Sequence, residues 1–167
     1  MVFDQNHYDI RCEWGERGLR ELAPTSDAII IVDVLSFCTC IDIATRNGAL
    51  VYPLGYQDGS SQDYADNHEA ILASRDRNAG GFSLSPQSLL SIPAATRLVL
   101  PSPNGATLSL ATGNCPTYAG CLRNAQSVAS AAQKHGEKIS VIPAGERWKD
   151  DHSLRPSLED LIGAGAI

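Results

Sequence analysis

Four polar clusters in this chain have the residue types and placement to do chemistry. Asp33 closes the apolar run Ala28-Ile29-Ile30-Ile31-Val32. Ser102-Pro103-Asn104-Gly105-Ala106-Thr107 follows a second apolar run, Glu146-Arg147 follows a third, and Glu159-Asp160 lies near the end. Backbone amides at a glycine-containing turn before a helix can hold phosphate without a cationic side chain. Ser102, Asn104, Gly105 and Thr107 are therefore the substrate-binding candidates. Carboxylates at strand ends would repel such an anion unless a metal ion lay between them. Magnesium takes one or two carboxylates, several waters and phosphate oxygens, a demand that Asp33, Glu146, Glu159 and Asp160 can meet.

Each cluster also has a plainer reading. An aspartate at a strand end is often a helix cap, and Asn104-Gly105 can be a simple turn. Glu159-Asp160 can serve a helix dipole, and Glu146-Arg147 can be a solvated pair. His7, His68, His135 and His152 are scattered in polar surroundings and read as surface residues. Cys38 and Cys40 read as core thiols, since no base is placed near them in the sequence. They are two apart, so on a helix they would point to different sides, which argues against a shared zinc ion. With five cysteines and no C-x-x-C pair, reduced thiols are expected. Phosphate-loop, nucleophile-elbow and H-E-x-x-H signatures are absent, so nucleotide hydrolysis and zinc proteolysis lose their main support.

The elements that must position these residues follow from an alternation of short apolar, β-branched runs with stretches of helical composition. Strands are expected over 28–34, 49–54, 97–100, 118–120 and 138–143. The first lacks alternation, as a strand covered on both faces should. Helices are expected over 38–46, 60–78, 106–111, 124–135 and 157–164. Asn47-Gly48 stops the first of them, and Gly80-Gly81 breaks the second. For the last, Ser157 is the expected N-cap and Asp160 the capping-box acid. The fold class is α/β: a three-layer domain with a largely parallel sheet and helices on both faces, formed by residues 1–167 as a single domain. In such sheets the ligand crevice lies beyond the carboxyl ends of the strands, where three of the clusters fall.

A length of 167 residues with 43% hydrophobic content supports one sizeable core. The net charge of −6 argues against a nucleic-acid partner. No apolar run approaches a membrane span and the start has no signal-peptide order, so a cytoplasmic location without membrane association is expected. The ending Leu161-Ile162-Gly163-Ala164-Gly165-Ala166-Ile167 reads as a helix still packing into something. C-terminal truncation or a homo-oligomer contact would supply the missing cover.

Taken in order, several segments resemble the 2-phosphosulfolactate phosphatase family. They are Val32-Asp33-Val34-Leu35-Ser36-Phe37-Cys38-Thr39-Cys40-Ile41, the loop Gly81-Phe82-Ser83-Leu84-Ser85-Pro86, the turn from Ser102 to Thr107, Ala144-Gly145-Glu146-Arg147, and the stretch from Leu158 to Ala166. The resemblance implies an α/β enzyme that uses magnesium to hydrolyse a small anionic phosphate monoester, 2-phosphosulfolactate, to sulfolactate and phosphate. It implies Asp33, Glu159 and Asp160 as metal residues, and Asn104 and Gly105 as the phosphate loop. Glu146 and Arg147 lie on a neighbouring loop and join Asp33 as the catalytic candidates, with water as the expected nucleophile. The family pattern has Arg directly after Asp-Val-Leu, whereas Ser36 stands there in this chain, which removes a bidentate clamp for phosphate or sulfonate. That loss, together with the early ending, motivates an alternative: a family member weakened in catalysis that binds a metabolite or a partner through the same crevice.

Overall fold

The computed structural model describes residues 2–55 and 60–167. The chain runs through β1 (Ile10–Cys12), α1 (Gly15–Leu22), β2 (Ala28–Val32), α2 (Phe37–Arg46), β3 (Leu50–Leu54), α3 (Ser61–Asn67), β4 (Ile71–Leu72) and β5 (Arg97–Pro101). It continues through α4 (Gly105–Leu110), β6 (Thr117–Gly120), α5 (Ala125–Ala132), β7 (Ile139–Pro143), β8 (Glu146–Arg147), β9 (Leu154–Arg155) and α6 (Leu158–Ala166). The strands and helices confirm the α/β class. The parallel strands fall into two sheets, ordered β1-β7-β2-β6 and β3-β5-β4, and β8 and β9 form a separate antiparallel pair.

Burial explains which strands lead. Every residue of β2 and β7 is buried, so their unbroken apolar runs serve two covered faces. Helix α6 packs on β7 and β2, and α1 packs on β7. Helices α2 and α4 each touch strands of both sheets and so join them. Close approach demands glycine in places: a Cβ on Gly163 of α6 would lie 2.8 Å from Val34 Cγ2 and 2.9 Å from Val32 Cγ1. No helix among the described residues is long and apolar enough to cross a membrane.

Three local expectations change. The helix expected over 60–78 ends at Asn67. Glu69 adopts φ 50°, and the amides of Glu69 and Ala70 donate back to the carbonyls of Asp66 and Ala65 at 3.0 and 2.9 Å. This is a Schellman ending made without glycine, and Ile71 and Leu72 then pair with β5 as the short strand β4. At the last helix, Ser157 occupies the N-cap position but makes no side-chain cap bond. Its buried Oγ has no hydrogen-bond partner among the described residues. Asp160 does not complete a capping box there, because its carboxylate is engaged elsewhere. Finally, β1, α1 and the β8–β9 pair are elements that the sequence pattern does not assign.

Candidate active site at the junction of the two sheets

Asp33 leaves β2 where α2 and α4 begin. Its carboxylate is held by both helix starts: the Phe37 amide donates to Oδ1 at 3.1 Å and the Gly105 amide donates to Oδ2 at 2.9 Å. Neither α2 nor α4 has a side-chain cap at its own N-cap residue, so one aspartate satisfies an orphan donor on each. This geometry makes Gly105 obligatory. A Cβ there would sit 2.4 Å from Phe37 Cδ1 and 2.7 Å from Asp33 Oδ2. Burial raises the pKa of Asp33, the Phe37 and Gly105 amides oppose that shift, and the nearby Glu146 charge adds to it.

Asp160 is built alike. Its Oδ1 accepts from the Val34 amide at 2.8 Å and its Oδ2 from the Gly145 amide at 2.9 Å. Helix α6 is thereby tied to the chain leaving β2 and the chain leaving β7. Gly145 has φ 67°, a conformation that suits glycine. Burial pushes the Asp160 carboxyl up to about 6, with the Asp33 charge contributing in the same direction.

A cavity of about 140 Å³ lies beside Asp33, lined also by Ser36, Arg75, Arg77, Ser102, Asn104 and Glu146. Asn104 Nδ2 donates to Glu146 Oε1 at 3.1 Å, which joins the loop after β5 to β8. Four sequence candidates, Asp33, Ser102, Asn104 and Glu146, therefore share one concavity at the carboxyl ends of three strands. Thr107 and Arg147 line a smaller neighbouring hollow of about 60 Å³ that also touches Asn104. Arg147 pairs with Glu16 at 3.6 Å and donates to the His152 carbonyl at 3.3 Å. Glu159 and Asp160 do not line the main cavity. The Gly105 amide, expected to grip an ester, is committed to Asp33.

Arg75 and Arg77 were missed as site members by sequence pattern, and Ser36, read there only as the place of a lost arginine, lines the same cavity. The two arginines fall in the segment expected to be a helix. One signal was present, because they are the only Lys or Arg residues between Arg46 and Arg97. The cysteines behave as core thiols. Burial raises Cys38 well above its ordinary value and pushes Cys40 up to about 12, far from the thiolate form a nucleophile needs.

Among the described residues no three His, Cys, Asp or Glu side chains converge as a metal cage. The cavity nevertheless suits a hard cation that keeps waters and substrate oxygens. Asp33 and Glu146 both line this one space, where two carboxylates together could hold a divalent ion that keeps its remaining waters. No curated protein matches the chain at a significant level. The family model for 2-phosphosulpholactate phosphatase matches residues 18–167.

Proposed function

Because the chain belongs to the 2-phosphosulpholactate phosphatase family, we propose that it hydrolyses a small anionic phosphate monoester in the cavity beside Asp33, with magnesium as cofactor. 2-Phosphosulpholactate is the candidate ester, giving sulpholactate and phosphate. The observation that carries this reading is the meeting of opposite charges in one small space: Asp33 and Glu146 with Arg75 and Arg77. Asp33 and Glu146 would hold the magnesium ion, which when bound neutralises phosphoryl oxygens and favours attack at phosphorus.

The chain's own groups supply the rest. A carboxylate held by two backbone amides cannot swing, so Asp33 presents fixed lone pairs toward the cavity. From that fixed position it can accept the proton of an attacking water. The water oxygen bonds to phosphorus as its proton passes to Asp33, the bond from phosphorus to the ester oxygen breaks, and the leaving oxygen takes a proton from solvent. Asn104 holds Glu146 in place through its Nδ2. Arginine donors match the geometry of phosphoryl oxygens, and they lie where the charge of the transferred group must be met.

Turnover of a generic phosphate ester, with and without magnesium, tests the reading. Asp33→Asn is expected to lower magnesium-dependent turnover by about 100-fold or more. Unchanged turnover in that variant refutes the assignment. A second reading has an observation of its own, the commitment of both Asp33 oxygens to helix amides. Calorimetric binding of phosphate and sulpholactate without hydrolysis of any ester would establish the chain as a binding protein instead.

A further inference from the structure

Arg77 and Ser36 form a unit that neither the family match nor the strand-end clusters account for. Arg77 Nη2 donates to Ser36 Oγ at 3.3 Å, and Ser36 Oγ donates its own proton to the Leu84 carbonyl at 2.9 Å. A hydroxyl has one proton, so the bond to Leu84 leaves Ser36 Oγ as an acceptor facing Arg77. Ser36 is only 4% exposed, while the Arg77 side chain comes from an exposed segment. A guanidinium from an exposed segment is thus seated against a buried hydroxyl three residues after Asp33, on the wall of the same cavity. Arginine carries five N–H donors, so a single bond to Ser36 leaves others for an anion. Arg75 lies on the same wall, with Nη2 donating to Ser61 Oγ at 3.4 Å.

We propose that Arg77 binds the phosphoryl oxygens of the substrate and that Ser36 is its positioning residue. The inference rests on the phosphatase reading for what the anion is, and on the Ser36 contact for where the cation sits. Seating the guanidinium before the anion arrives removes part of the rotamer entropy that a long side chain would otherwise lose on binding. It also fixes the cation relative to Asp33, since Ser36 belongs to the same turn.

The probe is inorganic phosphate, titrated by calorimetry in the presence of magnesium, alongside steady-state turnover of an aryl phosphate. Arg77→Gln is expected to weaken phosphate binding and raise KM by about tenfold or more, with Arg77→Lys recovering part of the loss. Ser36→Ala is expected to raise KM by about threefold with kcat held, and Ser36→Thr to restore it. Adding Ser36→Ala to Arg77→Gln should cost nothing further, because the hydroxyl acts through the guanidinium. The proposal is overturned if wild-type chain binds no phosphate, if Arg77→Gln leaves phosphate affinity unchanged, or if Ser36→Ala keeps its full effect without Arg77. Phosphate binding that falls in Arg77→Gln, in a chain that turns over no ester, upholds this inference and removes the phosphatase reading instead.

Discussion

Asp33 and Asp160 solve the same local problem with opposite consequences. Each is a buried aspartate whose two carboxylate oxygens accept one backbone amide apiece from separate segments. Burial raises the pKa of both. Asp33 gathers the starts of α2 and α4, the two helices that touch both sheets, and one side of it faces a cavity shared with Glu146, Asn104 and Arg77. Asp160 gathers the chain ends leaving β2 and β7 onto α6, is buried, and does not line the cavity beside Asp33. Two amides around a carboxylate therefore do not by themselves mark a catalytic acid. They immobilise the group, and whether it serves chemistry depends on what the remaining side can reach.

The comparison can be broken most forcefully at Asp160. Removing its carboxylate in Asp160→Ala leaves the Val34 and Gly145 amides buried without acceptors, so a stability loss of about 3 kcal/mol is expected in urea unfolding. Turnover of the molecules that remain folded should change little, and a large loss there would move Asp160 into the chemistry. The gap between wild type and this variant should also depend on pH. A folded value of about 6 against an ordinary 3.8 means the folded chain holds the proton more tightly than the unfolded chain. The advantage of wild type is then fullest below about pH 4 and declines as pH rises through about 6. A gap that widens over that range would contradict the burial of this carboxyl.

Gly105→Ala probes the other member of the pair. Its methyl group would collide with both Phe37 and the Asp33 carboxylate, so a loss of about 2 kcal/mol is expected from the displaced contacts. Turnover should fall with it because Asp33 moves. Retained turnover in this variant would show that the tethering of Asp33 is irrelevant to catalysis. The smallest effect is expected at Ser157. As a capping residue its replacement by Ala would cost about 1 kcal/mol. With a buried Oγ that bonds nothing among the described residues, Ser157→Ala should instead stay within about 0.5 kcal/mol of wild type. Thermal melting of the two chains distinguishes these outcomes.

How far the sequence could be read depended on the range of the interactions involved. The run Ala28 to Val32 announces a fully buried strand because its own side chains carry that information. The turn at Asn104-Gly105 announces the start of α4 for the same reason. Four of the candidate site residues could be named because parallel strands deliver their carboxyl ends to one side. The Arg75 and Arg77 wall was hidden, since the end of α3 is a Schellman turn at Glu69 without the usual glycine, and β4 is two residues long. The role of Asp160 was hidden too, because its partners Val34 and Gly145 are 126 and 15 residues away.

The amino-acid order alone settles the α/β alternation, the buried strands and the gathering of polar groups at strand ends, since each rests on periodicity and short-range backbone preference. Tertiary structure decides which carboxylate faces a cavity and which is sealed against amides, where the positive charge stands, and why position 105 admits only glycine. Those outcomes depend on distances between segments far apart in the chain, and packing sets such distances where local propensity does not.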